Sequence, residues 1–122
     1  MRCLYTLSLF LYSALAKCLS LWNKKAKLWV DGRKNLFPAL QLQLKSNEQI
    51  IWFHCASLGE FEQGRPLMEL IKAKQPDAKI LLTFFSPSGY ETRKNYAGAD
   101  YIFYLPTDTP KHAGRFLDIV NP

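Results

Sequence analysis

Three short apolar runs, each followed by a segment of helical periodicity, constrain the fold of this 122-residue chain more than any other feature. Ile50 to Ala56, IIWFHCA, is continuous and rich in β-formers, the pattern of a strand buried on both faces. Phe61 to Lys74 follows with Leu67, Leu70, Ile71 and Lys74 at helical spacing, and Pro76-Asp77 ends it. Lys79 to Phe85, KILLTFF, predicts a second buried strand, Ser86-Pro87-Ser88-Gly89 a turn, and Tyr90 to Tyr96 a short helix. Tyr101 to Leu105, YIFYL, predicts a third strand, and Ala113, Phe116, Leu117 and Val120 recur at the spacing of a third helix. Buried strands alternating with helices require parallel pairing through right-handed crossovers. The fold class is therefore α/β, a Rossmann-like parallel sheet whose functional loops sit at the strand C-termini and begin at Ser57, Ser86 and Pro106. The pattern calls for another strand after Asn121-Pro122, so the chain is expected to be a piece of something larger.

The segment before the first strand has a different character. Leu4 to Trp22, LYTLSLFLYSALAKCLSLW, carries one charge, Lys17, and has about the length that crosses a ~30 Å bilayer core as a helix. It runs into Asn23-Lys24-Lys25-Ala26-Lys27 without a small-residue cleavage site, so an uncleaved membrane-anchor helix is expected over residues 1–22. Lys24, Lys25, Lys27, Arg33 and Lys34 follow the run and only Arg2 precedes it, which by the positive-inside rule leaves the remainder in the cytoplasm. A helix lying in the interface is the rival geometry. Residues 23–49 are expected to be a basic flank and connector, with Asp31 to Asn47 contributing no core element, and residues 50–122 the partial Rossmann-like domain.

Charge and cysteine usage exclude other classes. All of the net charge of +6 lies in residues 1–37, while residues 38–122 carry nine basic and nine acidic side chains, so the globular part has no bias toward nucleic acid. Cys3, Cys18 and Cys55 form no C-x-x-C pair and have no histidine at metal-ligand spacing, which predicts buried free thiols, no metal site and no cofactor.

Two loops offer chemistry. Gly59 and Gly64 stand at the Walker A spacing, but Arg65-Pro66 replaces the Lys and hydroxyl residue that phosphate and Mg²⁺ need. Glu60 instead places a carboxylate at the mouth of the sheet beside a helix N-terminus, positioned to take a proton from an alcohol. Ser57-x-x-Glu60 is equally a capping box, in which Glu60 bonds back to the N-cap amide and does no chemistry. In the second loop Ser86, Ser88 and Gly89, with Arg93 a turn later, offer an anion site, or else Ser86 or Ser88 caps a helix with Pro87 in its first turn. His54 and Cys55 are adjacent on a strand and point to opposite faces, so they form no nucleophile–base pair. His54 reads as a satisfied core histidine and His112 as a solvated one.

The anchor with its basic flank, HCASLGEFEQGRPLMELIKAKQPDAKILLTFFSPSGYE, YIFYLPTDTP and RFLDIVNP together resemble the N-terminal region of the 3-deoxy-D-manno-octulosonic acid (Kdo) transferases of lipopolysaccharide biosynthesis. The resemblance is strongest from Ile50 onward, in Ser57-Leu58-Gly59-Glu60, in Thr83 to Gly89, and in Tyr104-Leu105-Pro106 with Asp108-Thr109-Pro110. It implies the N-terminal, acceptor-side half of a GT-B glycosyltransferase that moves Kdo from CMP-Kdo to the lipid A precursor. Transfer in that family inverts the anomeric carbon and uses no metal. By motif position Glu60 matches the family's general base, with Ser57, Gly59, Ser86, Ser88, Gly89 and Arg93 as candidate substrate contacts. The resemblance also implies attachment to the bacterial inner membrane with the globular part cytoplasmic. The donor domain would lie beyond Pro122, so this chain alone is expected not to turn over. The alternative is a membrane-tethered Rossmann-like module that binds an anionic lipid or sugar without chemistry.

Overall fold

A computed structural model describes residues 2–122; Met1, the first residue of the expected anchor, lies outside the described residues. Helices α1 (Arg2–Leu19), α2 (Lys24–Asp31) and α3 (Leu36–Gln43) come first. Then β1 (Ile50–Cys55), α4 (Leu58–Lys74), β2 (Lys79–Phe84), α5 (Pro87–Arg93), β3 (Tyr101–Tyr104) and α6 (Pro110–Val120) alternate as the apolar pattern requires. The strands form one sheet in the order β1-β2-β3, all parallel, with Ile50 opposite Lys79, Cys55 opposite Phe84, and Phe84 opposite Tyr104. β2 is central, and Ile80, Leu81, Leu82, Thr83 and Phe84 are fully enclosed, which explains why its sequence shows no alternation.

Each face of the sheet has its own core. Ile50, Leu81 and Phe103 pack with Phe116 and Val120 of α6 and with Leu36 and Leu40 of α3. Cys55, Ile80, Leu82 and Phe84 pack with Phe61 and Met68 of α4 on the other side. The helices end where local chemistry ends them: Ser57, Ser86 and Thr109 accept N-cap hydrogen bonds from Glu60, Gly89 and His112, and Pro87 and Pro110 occupy first-turn positions that need no N–H. Gly32 permits one close approach, since a Cβ there would sit 2.1 Å from the Tyr104 ring. Gly89 permits another, because its Cβ would meet Phe84 at 2.6 Å and the Leu58 backbone nitrogen at 3.3 Å.

Several expectations are corrected. The stretch from Asp31 to Asn47 is not a mere connector, because α3 seats Leu36 and the fully buried Leu40 in the core. Pro38 falls in the first turn of α3, where its missing N–H costs nothing. α4 begins three residues before Phe61, and its inward face is Phe61 and Met68 rather than Leu67 and Leu70, which are about half exposed. Cys55 is buried, but Cys3 and Cys18 are exposed.

No described helix is long and apolar enough to cross a membrane. The apolar run breaks after Leu19 into a turn, and Asn23 caps α2, accepting from the amides of Lys25 and Ala26. α1 alone has 18 residues, or about 27 Å at ~1.5 Å per residue. Its inward positions are the small or modest side chains Leu9, Ser13 and Ala16, while Leu4, Leu7, Phe10, Leu11 and Leu15 point outward. Tyr12 packs edge-to-face against Trp29 and lies tilted near Phe85, and the Tyr5 hydroxyl donates to Asp108, so α1 lies across the C-terminal ends of β2 and β3.

Candidate functional site

The parallel sheet collects the loops after β1, β2 and β3 at one edge, and backbone bonds fix them side by side. Ser86 N–H donates to Ala56 O (3.0 Å) and Leu105 N–H to Phe84 O (2.8 Å). Glu60 occupies the first turn of α4, exposed, at the C-terminal end of β1. Its Oε2 accepts the Ala56 N–H at 2.6 Å, and the Ser57 hydroxyl oxygen accepts the Glu60 N–H at 3.4 Å. Only the Ser57 half of the box forms: Glu60 reaches the amide of Ala56, the residue before the N-cap, rather than that of Ser57 itself. Oε1 has no hydrogen-bond partner among the described residues, so one carboxylate oxygen holds the group and the other is left unbonded.

Gly59 and Gly89 differ in a way that separates packing from access. An added Cβ at Gly59 would meet only Ser57 Oγ, at 3.9 Å, so nothing inside the fold demands a bare backbone beside Glu60. Gly89 is buried and required by contact with Phe84, which gives it a packing task. Ser86 Oγ accepts from the Gly89 amide at 3.2 Å and lies 2.8 Å from Ser88 Oγ, so both hydroxyls already belong to the cap of α5. Arg93 does not turn to that loop: its guanidinium pairs with Glu62 and lies 5.2 Å from the Phe61 ring, tying α5 to α4. Glu62 is thus a structural partner of Arg93.

The histidines are likewise reassigned. His54 is exposed at the end of β1 rather than enclosed, with Nδ1 3.1 Å from Thr83 Oγ1, and that hydroxyl also accepts the Trp52 indole N–H at 2.9 Å. Partial burial lowers the His54 pKa, against the opposing influence of Thr83 and Glu60, so the ring is neutral at pH 7. Burial and then the Glu60 charge raise the Cys55 thiol, which leaves it protonated and inert. His112 is not free in solvent: Nδ1 lies 2.7 Å from Thr107 Oγ1 and the ring packs on Phe37.

One constellation has no sequence signature. Arg33 sits among the rings of Trp29 (4.0 Å), Phe85 (5.0 Å) and Tyr104 (5.1 Å) and donates to the carbonyls of Trp29 and Phe85. Burial lowers its pKa to about 10, so it remains charged at pH 7. No carboxylate pairs with it among the described residues. The cage could not be read from spacing, since it joins α2, the end of β2 and the end of β3. No group of three or more His, Cys, Asp or Glu side chains suited to a metal occurs among the described residues.

The family model described as 3-deoxy-D-manno-octulosonic-acid transferase (kdotransferase) matches residues 16–122. The chain belongs to that family. It is 34% identical over 90 residues to the 3-deoxy-D-manno-octulosonic acid transferase of Aquifex aeolicus (strain VF5), an alignment covering 73% of this chain and 24% of that protein. It is 35% identical over 75 residues to the Haemophilus influenzae enzyme of the same name, covering 61% of this chain and 18% of that one. A protein of Arabidopsis thaliana described as a probable mitochondrial 3-deoxy-D-manno-octulosonic acid transferase is 35% identical over 74 residues, covering 60% and 17%. The Kdo transferase-family chain thus spans about a quarter or less of the relatives it matches. No solved structure matches it.

Proposed function

We propose that this chain is the acceptor-side part of an inverting GT-B glycosyltransferase that moves Kdo from CMP-Kdo to a lipid A precursor, with Glu60 as general base. The observation that carries the reading is the Glu60 carboxylate, exposed at the C-terminal end of β1 and held through Oε2 by the Ala56 amide. The unpartnered Oε1 would take the proton of the acceptor hydroxyl as the acceptor's oxygen attacks the anomeric carbon and the bond to CMP breaks. Gly59, bare for no internal reason, leaves room for a sugar to approach. Among the remaining candidates, Ser57 sits closest to Glu60 in the cap, and Ser86 and Ser88 border the same edge.

A second part of the reading concerns location. α1 leaves Leu4, Leu7, Phe10, Leu11 and Leu15 exposed, and Lys24, Lys25 and Lys27 follow it. An outward apolar face beside a basic cluster suits a helix lying in an anionic membrane surface, the cytoplasmic face of the inner membrane. An acceptor embedded in that surface would meet the sheet edge that α1 crosses. The non-catalytic alternative shares the anchor but assigns Glu60 only its cap.

The deciding test is Kdo transfer from CMP-Kdo to a lipid A precursor by the longest reading frame that contains this chain, in its own membranes. Transfer accompanied by release of CMP is expected. Binding of the precursor without any transfer would replace the enzyme reading with the binding module.

A further inference from the structure

Between Ile80 and Phe84 the enclosed strand β2 has one polar side chain, Thr83, and it is fully buried. A buried hydroxyl costs stability unless it is bonded, and valine has nearly the same shape without that demand. The bonds of Thr83 Oγ1 all serve β1. Thr83 stands opposite His54 in the register. Its Oγ1 accepts the Trp52 indole N–H at 2.9 Å, donates to Phe53 O at 3.4 Å, and lies 3.1 Å from His54 Nδ1. A hydroxyl has one proton and two lone pairs. The proton goes to Phe53 and one lone pair to Trp52, so His54 Nδ1 donates to the other. The ring is thereby held as the Nδ1–H tautomer, and Nε2 keeps a bare lone pair. Nε2 has no hydrogen-bond partner among the described residues, and His54 is exposed at the C-terminal end of β1. Only Cys55 separates His54 from Ala56, whose amide holds Glu60 Oε2, and two residues of strand span about 7 Å. Burial lowers the His54 pKa and the Glu60 charge opposes that fall, so the two groups sense one another.

We propose that His54 Nε2 accepts a hydrogen bond from a second hydroxyl of the acceptor sugar, beside the hydroxyl whose proton Glu60 Oε1 takes. Both groups accept and neither donates, so together they select a ligand that offers two O–H donors. An anionic group is disfavoured at this spot, because it meets a carboxylate on one side and a bare lone pair on the other. Two points of attachment fix the sugar's orientation and hence which hydroxyl meets Glu60. Thr83 is the positioning residue behind His54, since its hydroxyl decides which ring nitrogen carries the proton. The inference deepens the transferase reading and rests on it for the ligand, the sugar of the acceptor. The tautomer does not depend on that reading.

The tautomer is read from long-range ¹H–¹⁵N spectra of the present chain with labelled histidine at pH 8, where His54→Asn separates the His54 signals from those of His112. Protonated Nδ1 and bare Nε2 are expected at His54; an Nε2–H tautomer would overturn the proposal. Binding of a lipid A precursor is measured without donor in the longest reading frame that contains this chain. His54→Asn keeps an N–H for Thr83 but carries no acceptor at the Nε2 position. It should bind the precursor about 5–10-fold more weakly, the worth of one neutral hydrogen bond. His54→Gln reaches the Nε2 position with an acceptor oxygen and should stay within about 2-fold of the parent. Equal losses for Asn and Gln, which a merely structural histidine would give, or no loss for Asn, would overturn the proposal. Should the Asn variant not fold, the parent's His54 Nε2 signal decides: the precursor should shift it, and an unmoved signal overturns the contact. The expected binding pattern with no Kdo transfer from CMP-Kdo by the parent would sink the transferase reading alone. Kdo transfer with Asn and Gln bound alike would sink the His54 contact alone, and no precursor binding by the parent would sink both.

Discussion

Replacing Leu40 by Ala tests whether α3 belongs to the core, and its neighbour Leu42 supplies a control on the same helix. Leu40 is fully buried among Leu36, Ile50, Leu81 and Phe116, whereas Leu42 is 87% exposed. The substitution removes three carbons, worth about 2.4 kcal/mol at ~0.8 kcal/mol per buried methylene. A residual cavity on the order of 50 Å³ adds about 1 kcal/mol at ~24 cal/mol per Å³. Leu40→Ala should therefore cost about 3 kcal/mol, a large part of the ~5–15 kcal/mol that folded domains possess. Leu42→Ala should stay within about 0.5 kcal/mol of the parent, since Ala and Leu differ little in helix propensity. Urea unfolding followed by circular dichroism measures both, read at a constant m-value. A loss below about 1 kcal/mol for Leu40→Ala, or equal losses for the two variants, would refute the placement of α3.

Two further outcomes follow from the packing. Gly89→Ala should destabilise by about 1–3 kcal/mol, because the new Cβ meets Phe84 and the Leu58 backbone; a neutral change in melting temperature would show that α5 can move aside. Asp100 is partly buried, which opposes ionisation, but Lys72 at 2.7 Å, the Ile80 amide at 2.8 Å and Lys79 prevail and hold its carboxyl below the ordinary value. That stabilisation is present above the unfolded-state pKa of about 3.9 and is lost as pH falls through the lower folded-state value. Asp100→Asn should destabilise the chain at pH 7 and flatten its stability profile below about pH 4; an unchanged acid limb would contradict the ion pairing.

The alternation of strand and helix from Ile50 onward is legible because β2 is enclosed on both faces and the caps at Ser57, Ser86 and Thr109 have local signatures. The inward face of α4 is not legible in the same way. Leucines at 67 and 70 fit a helical stripe as well as Phe61 and Met68 do, and only contact with the sheet decides between them. α3 is hidden by its eight-residue length and by Pro38, a breaker everywhere except the first turn. The apolar density of Leu4 to Trp22 reads as a spanning segment, but in the structure the run turns after Leu19, Asn23 caps α2, and no described helix is long and apolar enough to cross a membrane. At the site, Glu60 and its cap follow from four consecutive residues. Arg33 in its aromatic cage and the Arg93–Glu62 pair join distant segments, so no local pattern announces them.

The most direct measurement compares Glu60→Gln with Ser57→Ala in the full-length protein, recording both Kdo transfer and unfolding stability. Gln keeps an oxygen for the Ala56 amide but cannot take a proton, so its stability should stay within about 0.5 kcal/mol while kcat falls by ~10² or more. Ser57→Ala should lose about 1 kcal/mol of stability through the cap and retain most of the transfer rate. A Glu60→Gln protein that transfers Kdo at the parental rate would contradict general-base catalysis and leave Glu60 a helix cap.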